Sequence, residues 1–162
     1  MKRISTFLAS LAIAAIPAAS FAATATGTLN ATATVTAKCV VASTSNVVFG
    51  AIDPTVNANY DGSGSITTRC TKNTPSFLFV APTVAGPLRM ASGTTGDNIT
   101  YGLYSDSGRS TAFPSATGGA KTAHPGNQTA TLYGRVVVAS GQNDTVAAAS
   151  DYTQALTATI EY

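Results

Sequence analysis

Few residues in this chain are of a type that does covalent or acid–base chemistry. There is one histidine, there are two cysteines, and seven side chains are carboxylates. Serine nucleophiles need a histidine within hydrogen-bond reach and a carboxylate to orient it. His124 sits in "TAHPGNQ" (122–128), a turn-like context, and reads as a solvated loop residue. The chain carries no nucleophile elbow, no H-E-x-x-H and no glycine-rich phosphate loop, so no catalytic residue and no cofactor is expected. Tyr101, Tyr104 and Tyr133 would suit an aromatic sugar-binding face, but at strand spacing they read as core or sandwich-edge residues. Arg109 follows "SDSG" and reads as a turn charge.

Cys39 and Cys70 are the remaining reactive pair. Zinc needs further Cys or His ligands, and His124 alone cannot complete a set, so no metal site is expected. The compartment decides their use. Lys2 and Arg3 precede a short apolar run from Phe7 to Ile16, and Ser20-Phe21-Ala22 supplies the small residues of a cleavage site. Residues 1–22 therefore read as an export signal, too short for the roughly 20 apolar residues of a membrane anchor. In an exported chain two cysteines predict one disulfide. The loop closed from Cys39 to Cys70 has 32 residues (70 − 39 + 1), for which chain entropy gives roughly 3.5–4 kcal/mol.

Loss of the signal removes two of nine basic residues and leaves seven against seven acidic ones. No basic patch remains for nucleic acid or anionic lipid, and no stable membrane insertion is expected. The 140 residues left (162 − 22) suffice for one domain with its own core.

The elements that hold these residues are strands. β-prone runs recur between turn clusters: "SNVVFG" (45–50), "GSITTRCT" (64–71), "SFLFVAPT" (76–83), "NITYGLYSD" (98–106), "TATLYGRVVVAS" (129–140) and "DYTQALTATIEY" (151–162). Such spacing predicts an all-β sandwich. Before them, "ATATGTLNATATVTAKC" (23–39) alternates strictly. Every odd position from Ala23 to Ala37 is apolar or glycine and every even one is polar, the pattern of a strand with one dry face. It is about three times the usual strand length. The final run places Leu156, Ala158, Ile160 and Tyr162 on one face, and no segment follows to cover its edge.

These two ends fit one another. A sandwich lacking its last strand would expose an apolar groove, and the N-terminal arm of another copy would fill it by strand addition. The arm is then Ala23 to Ala31, with Ala23, Ala25, Gly27, Leu29 and Ala31 facing the groove. Residues 32–162 form the domain, and Thr32 to Val41 its own first strand. A head-to-tail contact of this kind builds filaments. A lone subunit with an open groove is aggregation-prone, so a periplasmic assembly chaperone is the expected partner.

In the order and spacing of these segments the chain resembles the spore coat protein U domain family, the pilin-like subunits of archaic chaperone–usher pili. The pieces are the arm with Cys39, "VVFGAIDP" (47–54), "GSITTRC" (64–70), "ITYGLYSDSGRS" (99–110), "TLYGRVVVASGQ" (131–142) and "TATIEY" (157–162). The resemblance implies an incomplete immunoglobulin-like β-sandwich completed by a donor strand from another subunit. It further implies polymerisation with a periplasmic chaperone and an outer-membrane usher, and a surface fibre used in adhesion and biofilm formation. The alternative is a secreted coat or matrix protein whose sandwich is self-complete.

Overall fold

The computed structural model of the protein describes residues 23–139 and 145–162; the expected export signal, residues 1–22, lies outside them. Two units divide the chain, one ending at Thr34 and one running from Val35 to Tyr162. In the first, residues 23–34 adopt no regular secondary structure and every side chain is exposed. Alternation gives a strand one dry face, but a strand also needs a partner edge, and these residues have no ladder.

The described residues of the second unit hold nine strands: β1 Cys39–Val48, β2 Asn59–Cys70, β3 Pro75–Pro82, β4 Arg89–Ala91, β5 Asn98–Thr100, β6 Gly102–Tyr104, β7 Thr122–Ala123, β8 Asn127–Val137 and β9 Leu156–Glu161. A four-stranded sheet runs β1-β2-β8-β6, a three-stranded sheet β7-β3-β9, and β4 pairs with β5. All pairings are antiparallel. No helix occurs among the described residues. The result is an all-β, immunoglobulin-like sandwich.

The centre of the large sheet follows from alternation. On β2, Gly62, Gly64, Ile66 and Thr68 are buried while Asp61, Ser63 and Arg69 are exposed. Its register with β8 sets Ser65 opposite Thr131 and Thr67 opposite Thr129. Hydroxyls pair across this outer face: Ser45 with Ser65 and Thr67 with Thr129, each at 2.9 Å. Inside, two glycines are required by close approach. A Cβ at Gly64 would lie 2.7 Å from the Ser45 carbonyl oxygen, and one at Gly134 would lie 2.6 Å from the Phe49 ring.

The interior has two centres. Ile66, Val80, Leu103 and Leu132 form one, and Ile99, Val136 and Val138 the other. Tyr101 packs against both and meets the Phe49 ring edge-on at 5.5 Å. Each fully buried valine or leucine contributes about 1.5–3 kcal/mol of transfer free energy.

Three local readings are corrected. The first strand begins at Cys39, not Thr32, and "SNVVFG" supplies its second half instead of a separate strand. The reason lies in β2, which ends at Cys70 opposite Cys39 and offers no ladder to earlier residues. "NITYGLYSD" divides into β5 and β6, which belong to different sheets, because the Tyr101 N–H turns to the Leu88 carbonyl at 3.2 Å. Strands β4 and β7, of three and two residues, were too short to leave a periodic signal.

Candidate interaction groove

Strand β1 is the edge of the large sheet, and β9 is the edge of the small one. β9 bonds to β3 from Leu156↔Pro82 to Glu161↔Phe77. Its other edge has no ladder partner among the described residues. The second half of β1 bends inward through register shifts at Val41/Ser43 and Ser45/Val48, which lays Val47 and Phe49 over Gly64 and Gly134. A cavity of about 1050 Å³ opens here, lined by Val47, Phe49, Ile66, Val80, Leu132 and Leu156 among others. Its floor is apolar because β2, β3 and β8 contribute Ile66, Val80 and Leu132 to it.

The opposite rim is the segment 146–155, which precedes β9. It lies outside the named strands, held by backbone and side-chain hydrogen bonds. Thr153 and Ala91 exchange both backbone hydrogen bonds, at 2.9 and 3.1 Å. The Ala147 N–H donates to the Asp97 carboxylate at 2.9 Å, and the Tyr152 hydroxyl donates to the Ala147 carbonyl at 2.8 Å. Asp151 accepts from the Ser92 hydroxyl at 2.6 Å and from both the N–H and the hydroxyl of Thr94 at 2.9 Å. The Ser92 and Thr94 hydroxyls hold the Asp151 carboxyl below its ordinary range.

Among the polar residues of the lining, Gln154 forms a node. Gln154 accepts from the Tyr101 hydroxyl at 2.8 Å and from the Arg89 N–H at 2.9 Å, and donates to the Pro87 carbonyl at 3.0 Å. Burial pushes the Tyr101 phenol up to about 12, so it stays a neutral donor. A satisfied amide of this kind explains the single polar residue on the apolar side of the closing segment.

The Cys39–Cys70 disulfide is present. Leu156 and Ala158 are half-buried in the groove wall; Ile160 is half-buried beyond the lining, and Tyr162, just past β9, is 55% exposed. Of the arm residues, Ala23, Ala25, Gly27 and Ala31 are exposed, and Leu29 is 94% exposed. Sequence reasoning missed Phe49, Tyr101 and the 146–155 rim as parts of the groove. The Gly64 and Gly134 positions were the available signal, since inward glycines ask what fills the space above them.

The other candidate residues lie elsewhere. His124 is no solvated loop residue: it is 3% exposed. Its Nδ1 accepts the Gly126 N–H at 3.1 Å, so Nε2 carries the proton and donates to the Thr68 hydroxyl at 2.9 Å. Thr68 is polar at an inward position of β2, which called for a buried partner; the histidine supplies it. Arg109 does more than mark a turn. Its Nε donates to the Gly134 carbonyl at 3.1 Å and lies 3.2 Å from Asp61, which Arg135 grips with two bonds of 2.7 and 2.9 Å. The Arg135 hydrogen bond, aided by the Arg109 charge, lowers the Asp61 carboxyl. Tyr104 and Tyr133 face each other across β6 and β8, whereas Tyr101 belongs to the core. No group of three or more His, Cys, Asp or Glu side chains suited to a metal occurs among the described residues.

Among solved structures the chain is similar to one from the crystal structure of the CsuC–CsuE chaperone–tip adhesion subunit pre-assembly complex, from archaic chaperone–usher Csu pili of Acinetobacter baumannii. The TM-score is 0.51 at 20% identity, covering 80% of this chain and 40% of that one. The present chain thus spans less than half the length of that relative, and the likeness is one of fold. No curated protein matches the sequence. The model of the Spore Coat Protein U domain matches residues 25–159, nearly all of the sequence outside the expected signal. The chain belongs to the Spore Coat Protein U domain family.

Proposed function

We propose that this protein is a structural subunit of a surface pilus that polymerises by donor-strand complementation. The single observation that carries the reading is the groove bordered by the inturned end of β1 and the edge of β9 that has no ladder partner among the described residues. A strand laid there would satisfy the open edge and cover the cavity. The arm of a second copy has the right chemistry: small apolar side chains at Ala23, Ala25, Gly27, Leu29 and Ala31 to face inward, threonines to face water. Leu156, Ala158, Ile160 and Tyr162 form the accepting strand.

Before assembly the groove would be covered by a periplasmic chaperone that lends a strand, and an outer-membrane usher would exchange that strand for the next subunit's arm. The solved relative, a chaperone with a tip adhesion subunit in a pre-assembly complex, supports a chaperone-bound stage before assembly. The protein would then be exported through the periplasm to the cell surface, where the fibre serves adhesion and biofilm formation.

The test compares the mature protein with a form lacking residues 23–30. The full chain should form SDS-resistant ladders that dissociate on heating. The shortened one should remain monomeric and be complemented by an added arm peptide. A stable, unladdered full-length monomer would favour the self-complete coat or matrix protein.

A further inference from the structure

Residues just before β1 are fastened at one place. The Thr71 N–H donates to the Lys38 carbonyl at 2.9 Å. The Thr71 hydroxyl accepts the Lys38 N–H at 3.2 Å and donates to the Thr36 carbonyl at 3.0 Å. One hydroxyl thus extends the pairing of β1 with β2 past its last rung, Cys39↔Cys70, where the disulfide already ties the two strands. Val35, the next residue toward the arm, is 79% exposed.

Two connections with different mechanical consequences meet here. β1 is an edge strand held by β2 alone, while β2 is an inner strand that also pairs with β8 at every position from Asn59 to Arg69. A pull on the free end of an edge strand breaks its hydrogen bonds one after another. A pull delivered to an inner strand is shared by the rungs on both sides. The disulfide decides which occurs, since a force arriving at Cys39 passes directly to Cys70.

We propose that the Cys39–Cys70 bridge and the Thr71 hydroxyl form the anchor through which tension in an assembled fibre enters each subunit, bypassing β1. The proposal rests on the arm being a donor strand, because only then does the chain at Cys39 carry the pull of a neighbour. The bridge transfers force to β2, and Thr71 fixes the direction in which residues 36–38 leave the domain. Both act at the root of the arm, away from the groove lining.

The experiment stretches polymers of the full mature chain by force spectroscopy, oxidised and after dithiothreitol. Oxidised polymers should show no extension before subunits part or unfold. Reduced polymers should yield at lower force, with an early step of up to about 65 Å per subunit. That is the length of residues 40–58, freed when β1 peels away, at roughly 3.3–3.6 Å each. In parallel, T71V polymers with the bridge intact should show a broader distribution of angles between neighbouring subunits in electron micrographs, at unchanged monomer melting temperature. T71S, which keeps the hydroxyl, should restore the distribution. Identical force curves before and after reduction would overturn the proposal. So would polymers that fall apart on reduction without load, since the bridge would then merely hold the fold, and so would T71V polymers that match the parent in angle. If the parent chain forms no polymer at all, the donor-strand reading itself fails, a result distinct from all of these.

Discussion

Replacing Leu29 by alanine separates the stability of a subunit from the cohesion of a polymer. Leu29 is 94% exposed and makes no part of the described cores, so L29A should leave the melting temperature of a monomer unchanged within error. In the groove of a second copy the same side chain would be the largest on the arm's apolar face. Burying a leucine contributes about 2 kcal/mol, and truncating one in a packed site costs about 2–5 kcal/mol. At about 1.4 kcal/mol per decade, a peptide of residues 23–35 carrying L29A should bind the arm-less subunit at least ~30-fold more weakly than the parent peptide. The control is T28A, whose side chain would face water and whose affinity should change less than about threefold. Titration calorimetry with a folded arm-less subunit gives both numbers. Equal affinities for the L29A and T28A peptides would refute the assigned face. Absence of binding by the parent peptide to a well-folded subunit would refute the groove.

Three further outcomes follow from the geometry. H124A leaves the buried Thr68 hydroxyl without its histidine partner and should lower stability by about 1–3 kcal/mol, read by urea denaturation. G134A places a methyl group against the Phe49 ring and Val47; overpacking should cost about 1–3 kcal/mol and weaken arm-peptide binding, because both displaced side chains line the groove. Acid should destabilise the domain in a defined window. Asp61, Asp106 and Asp151 are held below their ordinary value of 3.8 in the fold, so their contribution is complete above that value and is lost as pH falls through the lowered ones. The melting temperature should therefore hold from pH 7 to about 5 and decline below about 4, with D151N flattening part of the decline.

Much of the architecture was legible because alternation survives translation into structure. The β2 run "GSITTRC" carries the inward Gly64, Ile66 and Thr68 as plainly in sequence as in space, and the disulfide followed from the count of cysteines and the export signal. The groove was legible only at β9, whose apolar face is explicit. Its other wall was hidden for a physical reason. The end of β1 is "STSNVV", four polar residues and then two adjacent valines, with no alternation to mark an inward face. What turns Val47 and Phe49 inward is two glycines on strands far along the chain, and close approach between distant backbones has no local signature. The rim 146–155 escaped notice likewise, since its position depends on side-chain bonds to residues 89–97 and not on any period. His124 was misread because a histidine before Pro-Gly looks like a solvated turn; its burial depends on Thr68, 56 positions away.

The outward face of the large sheet bears hydroxyls that satisfy one another in pairs, Ser45 with Ser65 and Thr67 with Thr129. The ion pairs among the described residues both converge on Asp61. Dissolved ions screen charges and leave neutral hydrogen bonds nearly untouched. A material built from such a domain should keep its cohesion from dilute fresh water to brine, where one stitched together by lysine and glutamate would soften.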